Sequence, residues 1–350
     1  MTQLSPRLLN RRFFLGSAAA GATAALAACT SNDSDSSGTT TTATNASAAP
    51  GRPVTIGFSA PAADHGWMGA ISLNATAQAD QFSDVTLQAT EGTNDVQQQI
   101  SAVRTLIDRE VDALVILPFD GNALTEIATE AMSAGIPVVN LDRVFASPLA
   151  YRTWIGGDNY GMGANAGRYI ADTLRSRNVN NPVIVEIAGI DSLELTQERS
   201  RGFREALEAR GLSVAARQAA DFTAATGQEV TAQILQAEGQ IDALWNHDDD
   251  QGIGVEAAIR QAGREDEFFM VGGAGSRRVM DQIKSDNAVI KATVLYSPSM
   301  SSSAISLARL LAQGSGLSGM AEHEVPASIT TYSAVVTRDN VDDYLAVGFE

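Results

Sequence analysis

Gly135-Ile136-Pro137-Val138-Val139-Asn140-Leu141-Asp142-Arg143 is an apolar run of strand length that stops on a carboxylate and a guanidinium. Apolar and polar residues do not alternate within it, so a strand here is buried on both faces, as in a parallel sheet covered by helices. Similar runs lie on either side. Ile56 to Ala60, Val85 to Ala89 and Ala113 to Leu117 precede it; Val183 to Ala188, Val214 to Ala219, Ala243 to Asn246, Phe268 to Val271, Ile290 to Leu295 and Ser328 to Val336 follow. Helical spacing fills the intervals. Val96, Ile100, Val103 and Ile107 form one apolar stripe, and Tyr160 to Arg177, Thr196 to Ala209, Thr226 to Ala237 and Gly254 to Ala262 read as further helices. Strands bracketed by helices on both sides of residue 150 predict an α/β fold with two doubly wound, parallel-sheet (Rossmann-like) lobes.

Sheets of this kind bind ligands beyond the carboxyl ends of their strands. The residues found there include Asp64, Asp142 and Arg143, Asp158 and Asn159, Asp221 and Phe222, His247 and Asp248, and Tyr296. Carboxylates, an amide, an arginine and aromatic rings are the groups that hold polyhydroxylated ligands. The polar ones pair with hydroxyls, while a flat ring covers the C–H face.

The chain has 350 residues, 44 % of them hydrophobic, which is enough for two domains with their own cores. Its 41 acidic and 24 basic side chains give a net charge of −17, so the basic footprint that nucleic acid or an anionic membrane surface requires is missing. Cys29 is the only cysteine, which excludes an internal disulfide and any Cys-rich metal site. Residues 1–28 have the layout of an export signal: Asn10-Arg11-Arg12-Phe13-Phe14-Leu15 precedes an Ala/Gly-rich apolar stretch and resembles a twin-arginine signal. Leu26-Ala27-Ala28-Cys29 is similar to the lipobox of bacterial lipoproteins, which implies lipidation at Cys29. Residues 29–52 are rich in Ser, Thr, Asn, Asp and Ala and read as a flexible spacer.

From Val54 to Phe349 the chain resembles the ribose/galactose-type periplasmic binding proteins of sugar ABC importers, and within them the galactofuranose-like branch. The resemblance is carried by Gly135 to Arg143, Gly157-Asp158-Asn159-Tyr160-Gly161-x-Gly163, Glu198-Arg199 with Gly202-Phe203, Asp221-Phe222 and Asn246-His247-Asp248-Asp249, in that order, and for the branch by Asp64-His65-Gly66-Trp67 and Thr293 to Met300. It implies a type I periplasmic binding protein: two lobes, 53–156 plus 297–326 and 157–296 plus 327–350. They are joined by three hinge crossings near Gly156–Gly157, Tyr296–Ser297 and Pro326–Ser328. It also implies sugar contacts at Asp142 and Arg143, Arg199, Phe222, Trp67 and either Asp64 or His65, with Asn159 among the site residues. Met68, Asp248, Ala274 and Tyr296 depart from the family's usual residues, which keeps the ligand class and leaves the ligand open.

Rival chemistries find little support. His247-Asp248-Asp249-Asp250 is a dense acidic run, but consecutive side chains cannot all face one ion, so no metal and no cofactor is expected. Gly252-x-Gly254 and Gly272-Gly273-Ala274-Gly275 are fragments of a dinucleotide fingerprint without its third glycine and acidic partner. Nucleophile elbows of the form Gly-x-Ser-x-Gly are absent, and three histidines lack any triad context. The expected protein is a non-enzymatic, monomeric, lipid-anchored binding protein outside the cytoplasm. It captures a monosaccharide or polyol for an ABC permease and touches the membrane only through its anchor. The alternative is a sensor that reports the same kind of ligand to a membrane receptor.

Overall fold

The computed structural model describes residues 50–317 and 324–350. The expected export signal (1–28), Cys29 and nearly all of the 29–52 spacer lie outside the described residues. The end of the spacer is tied to the body: Gly51 donates its amide to Asp84, and Arg52 donates to Asp112 (2.8 Å) and to the Ala312 carbonyl (2.6 Å).

The first sheet is formed by β1 (Val54–Ser59), β2 (Val85–Ala89), β3 (Ala113–Ile116), β4 (Val138–Leu141), β5 (Thr153–Gly157) and a late strand, β11 (Ser328–Thr331). Their order is β11-β5-β4-β3-β1-β2, with every pairing parallel. The second contains β6 (Ile184–Ala188), β7 (Val214–Ala219), β8 (Ala243–Asn246), β9 (Phe269–Ala274), β10 (Ile290–Leu295) and β12 (Val335–Thr337). Its order is β12-β10-β9-β8-β6-β7, and only β12 runs antiparallel.

Helices α1 (Gly66–Asp80) and α9 (Met300–Ala312) cover one face of the first sheet, and α2 (Val96–Asp108) and α3 (Gly121–Ser133) the other. In β3 successive side chains therefore enter different cores: Ala113 and Val115 meet α1 and α9, while Leu114 and Ile116 meet α2 and α3. That two-sided burial is why the strands read as unbroken apolar runs. The second sheet repeats the arrangement. Trp245 of β8 points towards α4 (Asn159–Ser176) and α5 (Glu194–Glu208), and Leu244 towards α6 (Ala224–Ala237) and α7 (Asp249–Ala262). Helices α8 (Arg277–Ser285) and α10 (Val341–Tyr344) complete the lobe. Among the described residues, no helix is long and apolar enough to cross a membrane.

The chain passes between the sheets three times, from β5 to α4, from β10 to α9 and from β11 to β12. The last passage differs from the expectation. Ser328 to Val336 is not one strand with a crossing before it: Ser328–Thr331 pairs with Trp154–Gly157, whereas Val335–Thr337 pairs with Ala292–Val294 of the other sheet. The crossing falls at 332–334, and 328–331 belong to the first lobe. One apolar run is divided because its two halves satisfy their backbone groups on different sheets. Strand β5 is also absent from the sequence reading, since Thr153-Trp154-Ile155-Gly156-Gly157 is short and ends on two glycines. Pairing with β4 on one edge and β11 on the other defines it.

Candidate functional site

Loops at the carboxyl ends of both sheets converge on a cavity of about 30 Å³, room for about two waters. The first lobe lines it with His65, Trp67, Met68, Asp142 and Arg143, the second with Leu195, Arg199, Phe222, Asp248 and Ala274, and Tyr296 stands at the crossing. A wider cleft of about 550 Å³ shares Asp142, Arg143 and Leu195 with it. The cavity thus gathers all but two of the expected residues. Asn159 lines the wider cleft instead, and Asp64 lines neither. The Asp64 carboxylate instead accepts from His65 Nδ1 (2.5 Å) and Asn94 Nδ2 (2.8 Å), so it orients the histidine that does reach the cavity.

Asp142 and Arg143 owe their position to Asn140, a buried amide within β4. Its Nδ2 donates to the Arg143 carbonyl (2.8 Å) and its Oδ1 accepts from the Phe145 amide (3.0 Å), folding the chain back just past the strand. Asp142 consequently has φ +62°, a left-handed conformation that non-glycine residues seldom adopt. Phe222 (φ +72°) and Ala274 (φ +86°) share this feature, so three lining residues hold strained backbone. Such strain persists only where surrounding contacts enforce it. Arg143 donates to the Phe119 carbonyl (2.8 Å) with its guanidinium 5.8 Å from that ring, and its Nε has no hydrogen-bond partner among the described residues. Burial pulls its pKa down, and the charge of Asp142 opposes that.

Tyr296 joins the two lobes. Its hydroxyl donates to Asp142 Oδ1 and accepts from Asn159 Nδ2 (3.2 Å), and its carbonyl accepts from Trp67 Nε1 (2.8 Å). Arg199 lies 4.5 Å from its ring centre and is itself held by Asn159 Oδ1 (3.0 Å) and the His247 carbonyl (3.4 Å). Burial, then the charge of Asp142, raise the phenol's pKa far above its ordinary value, so it remains a donor. Phe222 stacks against His65 at 6.3 Å. Asp248 caps α7, with Oδ1 accepting from the amides of Asp250 (2.8 Å) and Gln251 (3.1 Å). Burial, with the charge of Asp250, pushes its carboxyl up to about 6.

Other supporting residues were not among the expected contacts. Leu195 lines the cavity from the first turn of α5. Gln251 reaches from α7 to accept from the Phe222 amide (2.9 Å). Asp249 is buried under the loop that carries Ala274 and accepts from the amides of Gly273 (2.9 Å), Gly275 (3.0 Å) and Ser276 (2.7 Å) and from Thr293 Oγ1 (3.1 Å). Burial nevertheless pushes its carboxyl up to about 7. The glycine run beside it was the available signal: bare amides there can surround a carboxylate. His247 faces away from the cavity and meets Glu186 (3.0 Å), which also accepts from Ser200. Asp120 and Asp158 serve as helix caps, for α3 and α4. Among the described residues, no group of three or more His, Cys, Asp or Glu side chains is arranged to hold a metal ion.

Residues 56–316 match the family described as "Periplasmic binding protein domain". The chain is 31 % identical to the ribose import binding protein RbsB of Bacillus subtilis (strain 168), over 59 % of this chain and 65 % of that protein. It is also 31 % identical to the galactofuranose-binding protein YtfQ of Escherichia coli (strain K12), over 62 % and 69 %. The match to these curated relatives therefore spans about two thirds of their length. Among solved structures, an ABC transporter solute binding protein from Mycobacterium smegmatis with bound glycerol superposes with a TM-score of 0.75 at 25 % identity, covering 84 % of this chain and 97 % of that one. With two sheets of this topology, a cavity between them and this match over most of its length, the chain belongs to the periplasmic binding protein family.

Proposed function

We propose that this protein is a binding protein, not an enzyme, that takes a monosaccharide or small polyol between its lobes outside the cytoplasm and presents it to the permease of an ABC importer. One observation carries the reading: a single cavity draws Asp142 and Arg143 from one lobe and Arg199, Phe222 and Asp248 from the other. A ligand shifts an open–closed equilibrium only by its differential affinity for the two states, so contacts to both lobes at once are what drive closure. In this reading Arg143 and the free oxygen of Asp142 hold neighbouring hydroxyls, which suits a fork-shaped cation beside a carboxylate. Arg199 and Asp248 engage the ligand from the opposite side, and Trp67 and Phe222 cover its C–H faces. The cavity's small free space means that a sugar enters when the lobes part at the hinge. Removal of residues 1–28, lipidation of Cys29 and a spacer ending near Arg52 would tether a monomer to the membrane. Relatives that bind ribose and galactofuranose support the ligand class.

A thermal-shift screen of the purified protein against pentoses, hexoses, sugar alcohols and inositols tests this. A ligand at about a thousand times its dissociation constant stabilises by about 4 kcal/mol, a shift of several degrees. The expected outcome is a clear hit that Asp142→Ala abolishes, with the ligand recovered chemically unchanged. No shift across the panel sinks the sugar reading, and recovery of an altered ligand sinks the non-enzymatic one.

A further inference from the structure

One wall of the cavity is apolar and offers a ligand no hydrogen bond. Ala274, Tyr296, Trp67 and Met68 are joined in one buried cluster: the Tyr296 amide donates to the Ala274 carbonyl (3.0 Å), and the Trp67 and Tyr296 rings lie 5.8 Å apart. The polar handles of both aromatics are already engaged, Trp67 Nε1 by the Tyr296 carbonyl and the Tyr296 hydroxyl by Asp142 and Asn159. What remains facing the cavity is ring surface, a thioether and a methyl group. The capacity to hold hydroxyls lies beside that wall: Asp142 Oδ2, Asp248 Oδ2 and Arg143 Nε have no partner among the described residues, and the Arg199 guanidinium, 4.5 Å from the Tyr296 ring centre, adds further donors at the tyrosine's edge.

Ala274 carries an independent signal. At φ +86° a glycine would be unstrained and an aspartate or asparagine better tolerated than alanine. Glycine occupies the positions on either side of it, yet this one keeps a methyl group, and that methyl lines the cavity.

We propose that the cargo is a monosaccharide deoxygenated at the end that meets Ala274 and Met68, a methyl-ended sugar rather than a fully hydroxylated one. This rests on the sugar-binding reading above. A hydroxyl pressed against that wall leaves water without gaining a partner, which disfavours the parent sugar. Discrimination of one hydroxyl by an apolar surface reaches about a hundredfold.

Isothermal titration of the purified protein with matched pairs tests it: D-fucose against D-galactose, L-rhamnose against L-mannose, and 6-deoxy-D-glucose against D-glucose. The expected result is that the deoxy member of at least one pair binds tenfold to a hundredfold tighter than its parent. Ala274→Asp, which suits the positive φ, should narrow or reverse that ratio by at least tenfold while an unchanged circular-dichroism spectrum shows the fold retained. A fully hydroxylated pentose, hexose or polyol that binds as tightly as every deoxy sugar overturns the inference and leaves the sugar-binding reading standing. An absence of binding by any sugar overturns both, and the two failures are distinguished by whether heat is seen at all.

Discussion

The Tyr296 phenol donates to a carboxylate, and its removal should register as a lost hydrogen bond to a charged acceptor, about 1.5–3 kcal/mol. Tyr296→Phe is expected to lower the melting temperature by a few degrees in calorimetry; an unchanged value would mean the bond contributes nothing. Asp249 makes the protein's stability depend on pH. Its folded-state value of about 7 lies above the ordinary 3.8, so the folded protein holds that proton more tightly than the unfolded chain. The stability it contributes is full below about pH 4 and is lost as pH rises through 7. His247, held below its ordinary 6.5 by burial, works the other way and loses its contribution as pH falls. The melting temperature of the wild type relative to Asp249→Asn isolates the aspartate and should decline from pH 4 to pH 8. A constant difference would mean that this carboxyl titrates alike in both states.

At the scale of elements, the approach of α4 to α5 decides where Arg199 sits. A Cβ on Gly163 would strike the Arg199 carbonyl, and one on Gly202 the Tyr160 carbonyl, so both glycines permit backbone-to-backbone packing. Gly163→Ala should cost about 1–3 kcal/mol through overpacking and, by moving Arg199, weaken ligand binding at least tenfold. Denaturant melts and titration calorimetry check the two halves; lost stability with intact affinity would detach the helix pair from the site. Both glycines were visible in the sequence as parts of the motifs that carry the family resemblance. Their purpose was not, because the backbone each one faces belongs to a different helix.

At the scale of the whole molecule, the lobes meet directly as well as through any ligand. Helix α1 begins at His65 without a side-chain cap of its own, and the amide of Trp67 finds the Asp250 carboxylate of the opposite lobe at 2.9 Å. The bond exists only while the lobes are together. Asp250→Ala should therefore enlarge the ligand-free particle in small-angle scattering and weaken binding about twofold to thirtyfold, the equivalent of a cap worth about 0.5–2 kcal/mol. An unchanged radius would remove this contact from the closure equilibrium.

Unbroken apolar runs separated by helical stripes were enough to establish two mostly parallel sheets, and of the residues that end those runs Asp142, Arg143, Phe222, Asp248 and Tyr296 line the cavity, because strand burial and strand ends are local properties written in neighbouring residues. The division of 328–336 between two sheets, the preference for His65 over Asp64, the cradle around Asp249 and the contacts of Tyr296 and Asp250 were decided only by tertiary structure. Tyr296 meets Asp142 across 154 positions of sequence and Asp250 meets Trp67 across 183, and no local pattern says which distant group will satisfy a buried donor.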